Sequence, residues 1–189
     1  MSSKKILIAL GSPRKKGNST LLAQKAAEGI ETAGGTYEML HLDALDIKPC
    51  KACDWCRGNV GSFCVTKDDM KPIYPKLREA GGLVIASPVY WFTVSAQTKL
   101  FMDRWYAFVD SEGYLFRGKR IGIILTFGDT DVFTSGAVNA LRTFQDAFAY
   151  IDARIVGSVY GSADDPGEIQ SNDELMEKAF RLGKKMVEI

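Results

Sequence analysis

Apolar residues in this chain follow two alternating rhythms. Short strand-like runs recur at 4–10, 36–42, 82–87, 120–126 and 154–160. Leu83-Val84-Ile85-Ala86 and Ile121-Gly122-Ile123-Ile124-Leu125 lack polar alternation, as expected of strands covered on both faces. Between these runs, 21–34, 70–80, 95–110, 134–151 and 172–187 read as helices. In 134–151, Val138, Leu141, Phe144, Phe148 and Ile151 fall at i+3/i+4 spacing and form one core-facing stripe. Pro72 and Pro75 predict a second helix that is short or kinked at its start. Five strands alternating with five helices predict an α/β fold, with a parallel sheet sandwiched between two helical layers. Neither an internal repeat nor a linker interrupts the pattern, so 1–189 reads as a single domain.

One connection breaks the rhythm. From 43 to 69 there is little periodicity, and this stretch holds all four cysteines, Cys50, Cys53, Cys56 and Cys64. A structureless loop of that length inside a compact domain is usually functional or disordered. The x2, x2, x7 spacing can bring thiolates to the corners of one iron–sulfur cluster. Structural zinc more often uses two separated C-x2-C knuckles, and only one such region exists here. A [4Fe–4S] cluster, unligated or redox-active thiols, and zinc are the readings this spacing leaves open.

Three loops follow the first, third and fourth strands, at the sheet edge where open α/β proteins bind ligands. The first, Gly11-Ser12-Pro13-Arg14-Lys15-Lys16-Gly17-Asn18-Ser19-Thr20, combines hydroxyl and amide donors with positive charge ahead of a helix start. Unpaired N–H groups and the helix dipole favour an anion there. It is not a Walker A loop, since five residues separate Gly11 from Gly17 and Asn18 stands where Lys is required; G-x-G-x-x-G is also absent. The plainer alternative is an ordinary turn capped by Asn18 or Ser19 beside a solvated basic cluster. The second loop, Ser87-Pro88-Val89-Tyr90-Trp91-Phe92-Thr93-Val94-Ser95, carries three consecutive aromatics, suited to a flat ligand or an interface. The third, Phe127-Gly128-Asp129-Thr130-Asp131-Val132-Phe133-Thr134, is polar and able to bring backbone groups to a ring edge. Phosphate, aromatic and polar loops on one edge suit a planar aromatic mononucleotide, and FMN fits best.

The first loop resembles the phosphate loop of NADPH-dependent FMN reductases. Ser87-Pro-Val-Tyr-Trp-Phe-Thr-Val-Ser-Ala-Gln-Thr-Lys-Leu-Phe-Met-Asp-Arg104 is similar to their flavin-ring loop and following helix. The compact cysteine motif resembles the iron–sulfur flavoprotein branch of the family. The resemblance implies a flavodoxin-like fold with a five-stranded sheet of order 2-1-3-4-5. It implies that Ser12, Arg14, Asn18, Ser19 and Thr20 hold the FMN phosphate. Pro88, Val89, Tyr90, Trp91 and Phe92 would line the isoalloxazine, with Gly128 and Asp129 closing it and the four cysteines holding a [4Fe–4S] cluster. NAD(P)H is the implied donor, a small molecule or redox protein the partner, and a homodimer or homotetramer the assembly. With that strand order the cysteine loop leaves its strand about one and a half spacings, ~7 Å, from the crevice. It could also fold over a neighbouring subunit.

Charge and composition narrow the function. A net charge of +1 argues against binding nucleic acid or anionic membrane by bulk electrostatics. No apolar stretch approaches the ~20 residues of a membrane span, and the first run enters Gly-Ser-Pro-Arg as no signal peptide does. A cytoplasmic protein is expected. His41, the lone histidine, reads as structural, and no Ser-His-Asp set or carboxylate pair stands out. Chemistry is therefore expected from a cofactor, in an electron-transfer flavoprotein. The alternatives are a cluster-free NAD(P)H:FMN or quinone reductase, and a non-enzymatic signalling or scaffold module. The aromatics of the third helix, with Leu100, Phe101, Met102, Trp105, Tyr106 and Phe108, suit either an oligomer contact or a tightly covered core.

Overall fold

Strand β1 (Lys5–Leu10) divides its side chains between two cores. Ile6, Ile8 and Leu10 enter one cluster, while Leu7 and Ala9 enter the other. That period-two split, repeated in β3 (Gly82–Tyr90) by Val84 and Ala86 against Leu83 and Ile85, creates the two helical layers. The computed structural model describes residues 4–188. Helices α1 (Asn18–Thr32) and α6 (Asp173–Lys185) cover one face. Helices α3 (Met70–Glu79), α4 (Ala96–Asp103) and α5 (Ala137–Tyr150) cover the other.

With β2 (Thr36–His41), β7 (Arg120–Phe127) and β8 (Arg154–Ser162), the main sheet runs β2-β1-β3-β7-β8 with every neighbouring pair parallel. This is the expected flavodoxin-like order 2-1-3-4-5, and its switch point lies between β1 and β3. A sixth strand, β4 (Thr93–Val94), pairs antiparallel with the end of β3. A separate hairpin joins β5 (Val109–Asp110) and β6 (Gly113–Tyr114).

The third helix does not run to 110; it stops at Asp103, tightens into a 3-10 turn at Arg104–Ala107 and gives way to β5. Asp110 terminates that strand by accepting the Glu112 amide at 2.9 Å, and Gly113 follows with φ 127°. Of this segment's large side chains, Phe101, Met102, Trp105 and Phe108 are buried in the core, so packing within the subunit accounts for most of the surplus. The 43–69 loop contains one short helical turn, α2 (Trp55–Gly58), and a 3-10 turn at Leu42–Ala44.

Candidate functional site

The loop after β1 starts with a close approach. The Gly11 amide donates to Ala86 O at 2.7 Å, and a Cβ on Gly11 would collide with Thr98 Oγ1. Helix α1 starts three residues earlier than expected, because Asn18, Ser19 and Thr20 form its first turn. Its N-cap is Gly17, which has no side chain to cap with, so the first-turn amides have neither a capping group nor an intrahelical acceptor. Ser12 Oγ accepts the Arg14 amide at 3.1 Å. Asn18 is engaged elsewhere: its Nδ2 donates to Ala163 O and Asp165 O at 3.1 and 2.9 Å. Its Oδ1 accepts from the Gly167 and Ile169 amides at 2.9 and 3.3 Å. The side chain expected at a helix cap thus staples α1 to the loop after β8. Ser19 and Thr20 are buried behind the helix start.

The second loop is a two-residue hairpin. Val89 pairs with Val94 and Tyr90 with Thr93, leaving Trp91 and Phe92 at the tip with φ 47° and 64°. Two left-handed residues make a type I′ turn, a geometry that ordinarily selects Asn-Gly. For a side-chain-bearing residue it costs roughly 1–2 kcal/mol each. Gly136, itself at φ 75°, leaves the space that Phe92 occupies, and Asn139 Nδ2 donates to Phe92 O at 3.2 Å. Trp91 stands 91% exposed. Behind the tip, the Ser95 amide donates to Ser87 Oγ at 3.1 Å, and Ser95 Oγ caps α4 by accepting the Thr98 amide.

These loops bound one crevice. It comprises two adjoining, solvent-open hollows, which share Val89, Phe127 and Gly128. Ser12, Arg14, Asn18 and Tyr90 line one end; Trp91, Phe92 and Asp129 line the other. Of the residues expected at a cofactor, Pro88, Ser19 and Thr20 line neither cavity. Asp164 and Pro166, from the loop after β8, line the crevice although no sequence motif marks them.

The cysteines gather at a second place. All four line one pocket, together with Asp103, Arg104 and Tyr106 from the far end of α4 and the turn after it. No residue lines both this pocket and the crevice. The eight residues of α4, about 12 Å of helix rise, run from the hairpin to the cysteine pocket. The loop packs against α3, α4 and the turn after it: Phe63 stacks on Tyr74 at 4.8 Å, Gln97 Nε2 donates to Asp43 Oδ1 at 3.0 Å and Tyr106 Oη to Asp54 Oδ1 at 2.9 Å. All four thiols are free; Cys50 and Cys53 are exposed, Cys64 is half-buried and Cys56 is buried. Ala52, Asp54 and Phe63, each adjacent to a cysteine, are left-handed at φ 50°, 52° and 58°. Among the described residues no three His, Cys, Asp or Glu side chains converge on a single metal ion.

Electrostatics differ across the ring of thiols. Burial, together with the charge of Cys64, pushes the Cys56 thiol up. Burial also acts to raise Cys64, but hydrogen bonds from Thr66 and Arg104 outweigh it and hold that thiol below its ordinary value. Arg57 stacks 4.1 Å above the Tyr106 ring, and its Nη2 donates to Tyr114 Oη at 2.6 Å.

The chain is 31% identical over 192 residues to an iron–sulfur flavoprotein of Methanocaldococcus jannaschii, covering 98% of this chain and 96% of that one. Its fold matches a Trp repressor binding protein from Bacillus subtilis with TM-score 0.70 at 26% identity, covering 94% and 99%. It also matches an NAD(P)H:quinone oxidoreductase from Methanothermobacter marburgensis with TM-score 0.74, at 16% identity over 99% and 98% of the chains. Residues 4–166 match the NADPH-dependent FMN reductase family. The chain belongs to that family and is a flavin-dependent oxidoreductase, not a scaffold module.

Proposed function

We propose that this oxidoreductase exchanges electrons between FMN in the crevice and a [4Fe–4S] cluster on Cys50, Cys53, Cys56 and Cys64. NAD(P)H would be the donor, and a small molecule or a redox protein the partner. When bound, FMN supplies the interconversion of two-electron and one-electron chemistry, and the cluster supplies a one-electron store.

The crevice suits FMN in its polarity. Ser12, Arg14 and the uncapped amides of Asn18, Ser19 and Thr20 would hold the phosphate, consistent with a helix start that lacks an internal cap. Asn18 would act through its amide, its side chain being spent on the loop after β8. Pro88, Val89, Tyr90, Trp91 and Phe92 would form the ring wall, with Gly128 and Asp129 closing the opposite side. A Cβ on Gly128 would come within 2.8 Å of the Asp164 carboxylate, which faces it across the crevice.

The cluster reading rests on a single observation: four free thiols surround one pocket on backbone kinked left-handed beside Cys53 and Cys64. Such conformations cost roughly 1–3 kcal/mol each and persist where surrounding structure over-determines them. Thiolates set around a pocket suit a cluster in which each ligates a different iron, and Arg57 and Arg104 supply compensating charge. Among the described residues no helix is long and apolar enough to cross a membrane. The proposed assembly is a homodimer or homotetramer, for which Tyr106 and Leu100 remain accessible on the α4 segment.

A second reading, a cluster-free NAD(P)H:FMN or quinone reductase, draws on the exposed Trp91, Phe92 and Phe133, which could stack a flat substrate. A visible spectrum of anaerobically prepared protein separates the two. Flavin bands with a broad shoulder bleached by chelation in air support the cluster. Flavin bands alone, after reconstitution with iron and sulfide, support the reductase.

A further inference from the structure

Arg104 is the most deeply enclosed cation that an ion pair accounts for among the described residues. Its side chain is 1% exposed and that of its partner Asp68 is 0% exposed. The guanidinium forks onto both Asp68 oxygens, with Nη2 to Oδ1 at 3.3 Å, and Nη1 also donates to Lys48 O at 2.8 Å. The Asp68 carboxylate in turn accepts the Lys48 amide at 3.1 Å and the Met70 amide at 3.1 Å. Lys48 precedes the first cysteine and Asp68 follows the last, so one side chain clasps both legs of the loop. A second pair of bonds doubles the neck: the Asp69 amide to Asp46 O at 3.2 Å, and the Asp46 amide to Asp69 Oδ2 at 2.8 Å.

Arg104 is also fixed from behind. It follows directly on the end of α4, and its carbonyl accepts Tyr74 Oη at 3.0 Å from α3. It lines the cysteine pocket together with Cys64. Helix α4 starts at Ser95, whose hydroxyl bonds the phosphate-loop carbonyl of Gly11 at 2.7 Å. One short helix therefore carries the crevice at one end and the clasp of the cysteine loop at the other.

We propose that Arg104 is the positioning residue of the cysteine site: it closes the neck of the 48–68 loop onto α4 and sets a fixed positive charge against the Cys64 sulfur. The charge half of this assignment rests on the cluster reading above; the clasp half does not. Lysine cannot replace it, because a point ammonium cannot fork onto a carboxylate while reaching a carbonyl.

Three variants test this. The double variant D68N/R104Q removes both buried charges and so avoids an orphaned ion, R104K keeps the charge and loses the fork, and R104Q removes the cation while leaving Asp68 in place. In iron-free protein, amide exchange of 50–64 should quicken by about tenfold or more in D68N/R104Q and R104K, with the sheet unchanged. In reconstituted protein, R104Q should shift the one-electron equilibrium of the cluster about tenfold toward the oxidised form, or about −59 mV. R104K, and D68N/R104Q with its unchanged net charge, should each shift it by less than half of that. Loop exchange equal to wild type in D68N/R104Q overturns the clasp, and a cluster potential equal to wild type in R104Q overturns the electrostatic role. Wild type that takes up no iron overturns the cluster reading and the electrostatic role with it, while the exchange measurement still decides the clasp.

Discussion

Ser95 Oγ donates to the Gly11 carbonyl at 2.7 Å, joining the cap of α4 to the loop after β1. The same oxygen accepts the Thr98 amide at 3.3 Å. A single buried hydroxyl thus locks the loop after β1 to the helix that follows the aromatic hairpin. Ser95→Ala removes a cap and orphans a buried carbonyl, so it should cost about 1–3 kcal/mol of stability. Chemical denaturation measures that loss, and FMN titration of the folded variant should show weaker binding. Unchanged stability and affinity would show that the two walls are fixed independently.

Asn18 and Ser12 should separate folding from binding. Asn18→Ala forfeits four bonds to the loop after β8, together about 2–6 kcal/mol at roughly 0.5–1.5 each. Ser12→Ala should leave the melting temperature nearly unchanged but weaken FMN by about 1–3 kcal/mol, the value of a bond to a charged group. Thermal melts paired with flavin fluorescence titrations check both. The reverse pattern would move the phosphate away from Ser12.

The hairpin tip should show a trade between stability and function. Trp91→Asn with Phe92→Gly installs the residues a type I′ turn prefers and relieves about 1–2 kcal/mol per position. The variant should be more stable than wild type in urea but bind FMN and turn over NAD(P)H more weakly. A more stable variant with full activity would mean the aromatics are dispensable to the site.

How much of this was legible in the sequence differs from element to element. The three central strands were, because their buried runs are long and unbroken: Ile6, Leu7, Ile8, Ala9 and Leu10 are all fully buried, whereas the edge strands β2 and β8 mix exposed with buried positions. The crevice loops were too, since Ser12, Arg14, Tyr90 and Gly128 meet as their positions after successive strands require. The ends of α4 were not. Phe101, Trp105 and Phe108 keep a helical spacing of apolar residues across the switch to a 3-10 turn, so periodicity could not reveal the break. Asp68 accepts the Met70 amide, as a turn-forming Asp does, but its pairing with Arg104 spans 36 positions and leaves no local trace. The role of Asn18 was hidden similarly, because its partners lie 145 to 151 residues away.

The Asp68–Arg104 pair also makes a prediction about acid. Burial acts to raise the Asp68 carboxyl, but the Arg104 fork and the Lys48 and Met70 amides outweigh it and hold it below its ordinary value of 3.8. A depressed carboxylate contributes its full stability above the unfolded value and loses that contribution as pH falls through the folded one. Wild type should therefore lose stability below about pH 4 more steeply than D68N/R104Q. Asp68→Asn alone, which strands a buried guanidinium, should cost about 3–5 kcal/mol at neutral pH. Denaturation midpoints between pH 2 and 7, in about one-unit steps, check both. Parallel pH profiles for wild type and the double variant would contradict the pairing as drawn.

The central claim is that a flavin and an iron–sulfur cluster share this chain, and iron stoichiometry tests it most directly. Iron, acid-labile sulfide and FMN should be measured on anaerobically prepared wild type and on Cys53→Ala. About four irons and four sulfides per chain are predicted for wild type, with iron lost and FMN kept in the variant. Background iron in reconstituted wild type, or iron unaffected by the Cys53 substitution, would contradict the account.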